Sequence, residues 1–230
     1  MIYPRRILAL DLETTGLSSQ YDYITQVAAA VMEGGECVCV PFYSQVQPNL
    51  AKFKISLEAL AVQTGDIREK EGQKAASKWF AQIFDYPEPK QVSKDLKDWL
   101  EAHDAKHLPV VAHNAAFDHA FLNQFQFNNR LAFGKEQFLS PTWIDTIALA
   151  KWAMPGGDSY SLDSLLCALK LPPRPSFHDA LQDAILAGRA YHLLCEALGL
   201  YDLTPTLTLL QSEPDPSNTR QNTCLTTQQH

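Results

Sequence analysis

Apolar and polar residues follow two different periods along this chain, and the changes of period divide it into elements. The run Ile7-Leu-Ala-Leu-Asp-Leu-Glu-Thr-Thr-Gly16 opens without a turn residue, as a buried strand does. Period two places Ile7, Ala9, Asp11 and Glu13 on one face and Leu8, Leu10 and Leu12 on the other. Tyr23 to Met32 is a second apolar run, Glu33-Gly34-Gly35 a turn, and Glu36 to Val46 a third strand. Three strands in succession predict an antiparallel meander. Ser56 then caps a helix that carries Leu57, Leu60 and Ala61 and stops at Gly65.

Further on, period 3.6 dominates. Trp79, Phe80, Ile83 and Phe84 recur at helical intervals among lysines, a pattern that could stack single-stranded nucleic acid. Acids and bases balance there, however, with ten of each from Lys52 through Lys106. A helix packed on the main body is the expected reading. Ser93 to His103 is amphipathic through Leu96, Trp99 and Leu100. Leu108 to Ala112 is a short buried strand that leads through His113-Asn114 into a helix with Phe117, Phe121, Leu122 and Phe125 on its apolar face. Trp143 to Thr146 repeats the strand-then-helix order, and Ser161-Leu-Asp163 caps another helix to Leu169. Pro172, Pro173 and Pro175 forbid a helix, so the last one starts near His178 and runs to about Leu198. Strand–helix alternation after a meander predicts an α/β fold, a mixed central sheet flanked by helices, as one domain over residues 1–200. Residues 201–230 turn polar, too poor in apolar surface to offset ordering entropy, and read as a flexible tail.

Composition narrows the setting. Nineteen basic against 26 acidic residues give a net charge of −7 and a pI near 5.4. No general basic surface grips a nucleic-acid backbone, so any such contact must be local, metal-mediated or supplied by a partner. Cys37, Cys39, Cys167, Cys195 and Cys224 are scattered and odd in number, a reduced set rather than a disulfide framework. Cys37 and Cys39 are expected to point inward from one strand. With no apolar leader before the first strand and no run long enough to span a bilayer, a cytoplasmic protein without membrane contact is expected.

The chemistry starts at Asp11 and Glu13, two carboxylates side by side at the end of a buried strand. Repulsion and lost hydration call for a counter-charge, and a divalent cation is the natural one. Asp118 lies in the first turn of a helix that directly follows a buried strand. Asp183 lies inside the last helix beside core positions. His178 is five residues earlier, an angular offset of roughly 140° on a continuous helix, but the prolines place it at or before the helix start, where a loop could bring it over the same site. Singly, each residue has an ordinary explanation as a turn former, a dipole partner or a cap.

Together they resemble the DEDDh (DnaQ-like) 3′–5′ exonucleases of the ribonuclease H-like superfamily. The family's three motifs stand here as Asp11-Leu-Glu13-Thr-Thr-Gly16, His113-Asn114-Ala-Ala-Phe117-Asp118 and His178-Asp-Ala180-Leu-Gln-Asp183, over roughly residues 7 to 198. Lesser echoes fall at Glu58 to Gly65, Ile144-Asp145-Thr146 and Ser161-Leu162-Asp163. Against compact relatives, residues 66–92 look like an insertion.

The resemblance implies a ribonuclease H-like fold and phosphodiester hydrolysis from the 3′ end by two metal ions, Mg²⁺ or Mn²⁺, about 3.5–4 Å apart. Four carboxylates balance two such ions, and hard oxygen ligands suit them. By that resemblance Asp11 bridges both ions, Glu13 and Asp183 complete the site that activates water, Asp118 helps hold the second ion, and His178 is the general base. The surrounding carboxylates are expected to raise the His178 pKa, with bound metals pulling the other way. Leu12 and Thr14 would meet the terminal nucleotide, Leu17 would wedge against the last bases, Asn114 would support the second motif, and Phe117 would join the substrate surface. Asp145 reads as a structural hydrogen-bonder. The implied products are nucleoside 5′-monophosphates, and the implied substrates are single-stranded or frayed 3′ ends of DNA, slightly ahead of RNA. A proofreading subunit bound to a polymerase, another replication or repair partner, and a non-catalytic nucleic-acid-binding scaffold are the alternatives.

Overall fold

The computed structural model describes residues 3–49, 51–52, 54–66, 68–128, 139–174 and 178–201. At its centre is β1 (Arg6–Thr14), apolar on both faces because both are covered. It pairs antiparallel with β2 (Ile24–Glu33) on one side and parallel with β5 (Val110–Ala112) on the other, and β6 (Trp143–Asp145) extends the parallel half. The two short strands β3 (Glu36–Cys37) and β4 (Phe42–Gln45) both pair with β2 along its other edge.

The expected third strand is thus two. Between its halves stand Val38, Cys39, Val40 and Pro41, and Pro41 has no N–H to give a ladder. The break also separates the cysteines. Cys37 packs on the face that holds Ile7 and Ala9, and Cys39 on the face that holds Leu8 and Leu10. Cys224 lies outside the described residues, as does the expected tail from residue 202 on.

The alternation in β1 feeds two cores. Leu8, Leu10 and Leu12 pack with α3 (Pro89–Ala102) and α4 (Ala115–Asn128), through Val92, Leu96, Leu100, Phe121 and Leu122. On the opposite face Ile7 and Ala9 meet α5 (Thr146–Ala153), α6 (Leu162–Ala168) and α7 (Ala180–Ala197), through Leu149, Leu165, Tyr191 and Leu194. α3 starts four residues earlier than the pattern predicts, because Pro89 is tolerated in a first turn whose N–H groups have no partner anyway.

α1 (Leu57–Thr64) and α2 (Lys70–Gln82), with a 3₁₀ turn at Ile83–Asp85, form a small separate core of Leu60, Ala76, Trp79 and Ile83. The aromatics of this region divide. Trp79 is buried against α1, whereas Phe80 and Phe84 stay exposed. No helix among the described residues is long and apolar enough to cross a membrane.

Candidate active site

β1 delivers Asp11 and Glu13 to the end of the sheet, opposite Ala28 and Gln26 of β2. The register with β2 slips between Glu13 and Thr14, so the chain leaves the ladder where the two carboxylates have just emerged. The exit is fixed by local bonds. Thr14 Oγ1 donates to Gly16 O at 2.7 Å, Gln63 Nε2 donates to Thr14 O at 2.9 Å, and Ser56 N donates to Thr15 O at 3.0 Å. Gly16 has a steric reason to be glycine: a Cβ there would lie 2.6 Å from the Asp22 carboxylate, whose Oδ2 takes the Ser18 N–H at 2.8 Å.

The other groups arrive from three directions. β5 ends at Ala112, and Asn114 turns the chain with φ 71°, a conformation asparagine tolerates better than most residues. Asn114 N donates to Asp145 Oδ1 at 3.1 Å, and Asp145 also caps α5 by accepting from Ile147 N at 2.9 Å. This turn places Asp118 in the first turn of α4, buried, with its carboxylate accepting from the Leu12 amide. Asp183 comes from the first turn of α7, whose start is capped by Asp179. His178 precedes that helix and is tied to α1 by its own N–H, which donates to Val62 O at 2.9 Å.

All five lie on one cavity of about 580 Å³, lined also by Leu12, Thr14, Leu17, His113, Phe117 and Arg174. Leu17, 89% exposed, forms its lip. Asn114 shapes the turn but does not line the cavity. Among the described residues, Glu13, His178 and Asp183 each offer a ligand atom within 4.8 Å of the other two. Asp11 and Asp118 face the same space outside that group.

Burial dominates the electrostatics. Lost hydration, then repulsion from Asp118, Glu13 and Asp183, pushes Asp11 well above the usual carboxylate range. Burial and Asp183 lift Glu13 to about 8. Burial likewise raises Asp118 and Asp183, against the pull of hydrogen bonds in the first and of Arg174 in the second. Four acids held this way are short of positive charge. Asp183 Oδ1 is moreover buried without a hydrogen-bond partner, an oxygen prepared for a cation. The donor set therefore fits hard divalent ions.

His178 departs from expectation: its pKa is lowered, not raised. Burial is the larger cause and the Arg174 guanidinium the second, and together they outweigh Asp183 and Asp163. The imidazole is kept neutral, as a proton acceptor must be. His113 is also held down by burial.

Arg174 is a site residue that the sequence pattern does not reveal, because the prolines around it signal only the absence of a helix. Its Nε and Nη2 donate to the two Asp163 oxygens at 2.7 Å each, and its Nη1 donates to Asp183 Oδ2 at 2.8 Å. The place of α1 at the cavity is not legible in the pattern either, although the helix itself is. Ser56, Glu58, Ala59 and Val62 form one wall of the cavity, and helical periodicity gives no sign of which cavity a helix end will border.

Residues 8–191 match the exonuclease family model of RNase T type. Among curated proteins the chain is 32% identical over 188 residues to a DNA polymerase III PolC-type from Oceanobacillus iheyensis, a match covering 81% of this chain and 11% of that protein. The chain thus spans about a tenth of the length of the curated relatives it matches. Among solved structures, exonuclease X in complex with 5′ overhanging duplex DNA is 26% identical, with a TM-score of 0.53 over 84% of this chain and 92% of that one. The nuclease domain of 3′hExo, a DEDDh family member bound to rAMP, has the same fold at 17% identity, with a TM-score of 0.63 over 87% of this chain and 96% of that one. With the family model spanning every residue that lines the cavity, the chain belongs to the exonuclease family, on the ribonuclease H-like fold that it shares with the DEDDh member.

Proposed function

We propose that this chain is a metal-dependent 3′–5′ exonuclease that hydrolyses DNA, and RNA less well, into nucleoside 5′-monophosphates. The observation that carries the reading is the convergence of Asp11, Glu13, Asp118, Asp183 and His178 on one cavity from separate elements.

Asp11, Glu13, Asp118 and Asp183 would hold two divalent ions, Mg²⁺ or Mn²⁺. Such ions supply neutralisation of the attacking and leaving oxygens and an activated water. The protein's own part is geometric and protonic. The bulge after Glu13 and the Asn114 turn hold the carboxylates in place, so little reorganisation accompanies the reaction. His178, kept neutral by burial, takes the proton from the attacking water. Leu12, Thr14 and Phe117 meet the terminal nucleotide, the exposed Leu17 wedges against its base, and Asn114 acts through the second motif's turn. Residues 66–92, with their own small core on α1, are an addition to the nuclease fold.

The PolC-type relatives favour one setting, proofreading beside a DNA polymerase, with single-stranded or frayed 3′ ends as substrate and the partner supplying the grip that a −7 chain lacks. That setting is cytoplasmic.

The test is digestion of matched single-stranded DNA and RNA labelled at the 5′ end, with Mg²⁺, Mn²⁺ or EDTA. Stepwise shortening from the 3′ end, stopped by EDTA and reduced at least about 1000-fold by Asp11→Ala or Asp183→Ala, is expected. Wild-type rates in either variant would overturn the assignment.

A further inference from the structure

Arg174 engages two groups that the proposed chemistry uses. Its Nη1 donates to Asp183 Oδ2 at 2.8 Å and lies 3.2 Å from His178 Nδ1. A guanidinium has no acceptor, so in that second contact it must donate into the lone pair of the imidazole. One nitrogen thus contacts both the Oδ2 of a proposed metal-ligand carboxylate, whose Oδ1 is buried without a partner, and an imidazole nitrogen that carries a lone pair. The arginine side chain is 11% exposed, and Asp183 is 6% exposed. Its other two nitrogens hold Asp163, which is 63% exposed. The two ends of the guanidinium are therefore unequal. The Asp163 end is a wet, bidentate tether, and the Asp183 end is a buried single contact.

A buried carboxylate stripped of its partner is costly. The same contact is superfluous once a divalent ion sits on Asp183, because two cations on one carboxylate repel. Withdrawal can keep the tether as well, since the Asp163 side chain is 63% exposed and can swing together with the guanidinium while both of its bonds stay intact.

We infer that Arg174 is a resting-state counter-ion of the metal centre: it neutralises Asp183 and covers His178 in the metal-free chain, and yields both to the incoming ions while staying tethered to Asp163. This rests on the two-metal reading of the cavity. It assigns to Arg174 a role in setting metal affinity. Arg174 here is a competing and positioning group, not a catalytic one.

The experiment is calorimetric titration of Mn²⁺ into the EDTA-stripped, dialysed full chain, unaltered and as Arg174→Gln, with melting in EDTA as the second readout. Loss of a charge-assisted bond of about 1.5–3 kcal/mol from the metal-free state makes metal binding at least about tenfold tighter in the variant. The variant should melt lower than the unaltered chain in EDTA and gain more from Mn²⁺. Equal or weaker Mn²⁺ binding in Arg174→Gln would overturn the inference alone, since an arginine that merely supports the site would weaken binding when removed. No Mn²⁺ binding by either form would overturn the metal reading and this inference with it.

If the variant does not fold, side-chain NMR of the unaltered chain decides. On Mg²⁺ addition the Arg174 Nη1 protons should exchange faster with water while Nε–H, held by Asp163, stays slow. Unchanged Nη1 exchange would overturn the inference.

Discussion

Helix α7 carries a buried polar cluster near each end, and the two are built from opposite chemistry. Toward its C-terminus Tyr191 Oη donates to Pro4 O at 2.7 Å, Tyr201 Oη bonds His192 Nδ1, and Arg5 lies 4.7 Å over the Tyr201 ring. A bridge between Tyr3 and Tyr201 closes the same corner. The buried groups there are neutral: burial takes His192 down to about 4 and pushes the Tyr191 phenol far up. Toward its N-terminus the helix presents Asp183 to three other acids. Phenols and imidazoles are hidden at the cost of a few hydrogen bonds, whereas carboxylates are hidden only against a cation. The first cluster fastens the chain's start to the helix's exit. The second stores a demand for positive charge.

Breaking each cluster should therefore damage a different property. The largest effect is expected at the acidic end: His178→Ala should lower kcat about 10²–10⁴-fold, in the range of a lost general base, with melting little changed. A drop that also collapsed the melting temperature would assign His178 to the fold. Between the clusters, Gly188 lies where an added Cβ would come within 3.0 Å of Met32 and 3.1 Å of Ala9. Gly188→Ala should cost about 1–3 kcal/mol in denaturant titration by overpacking, with kcat nearly unchanged.

The pH dependence of stability sharpens the contrast. In EDTA, folded Glu13 keeps its proton to about pH 8 while the unfolded chain releases it near 4.5. The folded state then binds more protons in that window, so stability falls as pH rises. From about pH 6.5 to 8 the loss should be roughly 1–2 kcal/mol, and shallower in Glu13→Gln. His192 contributes with the opposite sign. Folded His192 stays neutral down to about pH 4, while its unfolded form protonates near 6.5. Its contribution therefore rises between those values and opposes the fall set by Glu13, so in His192→Gln the fall between about pH 4.5 and 6.5 should be steeper. If Glu13→Gln left the alkaline limb unchanged, the two clusters would not be separable in this way. The smallest effect is Tyr191→Phe, about 1 kcal/mol for the bond to Pro4, read by thermal melting at constant kcat.

Much of the fold was legible because it rests on local rules. The period-two run fixed β1 and the faces of its residues, Gly34-Gly35 fixed the first hairpin turn, and Ser56 and Gly65 bounded α1. Errors arose where the outcome depended on a neighbour. Pro41 broke the third strand because β2 offered no partner for a missing donor, and Phe80 and Phe84 stayed outside because α1 covers only one side of α2. The sign of the His178 shift differs from the expectation for a similar reason. Counting nearby carboxylates predicts a rise, but burial and Arg174 together lower it.

The residue types proposed to carry the chemistry, their order and the elements that bear them were determined by the sequence alone, since strand period, caps and prolines act within a few residues. Only the tertiary structure decided that Glu13, His178 and Asp183 bring ligand atoms within 4.8 Å of one another, that α1 walls the cavity, and that Arg174 bridges Asp163 and Asp183. Those outcomes depend on distances between segments far apart in the chain and on how deeply each charge is buried. Coulomb interaction and desolvation follow distance in space, which no spacing along the sequence records.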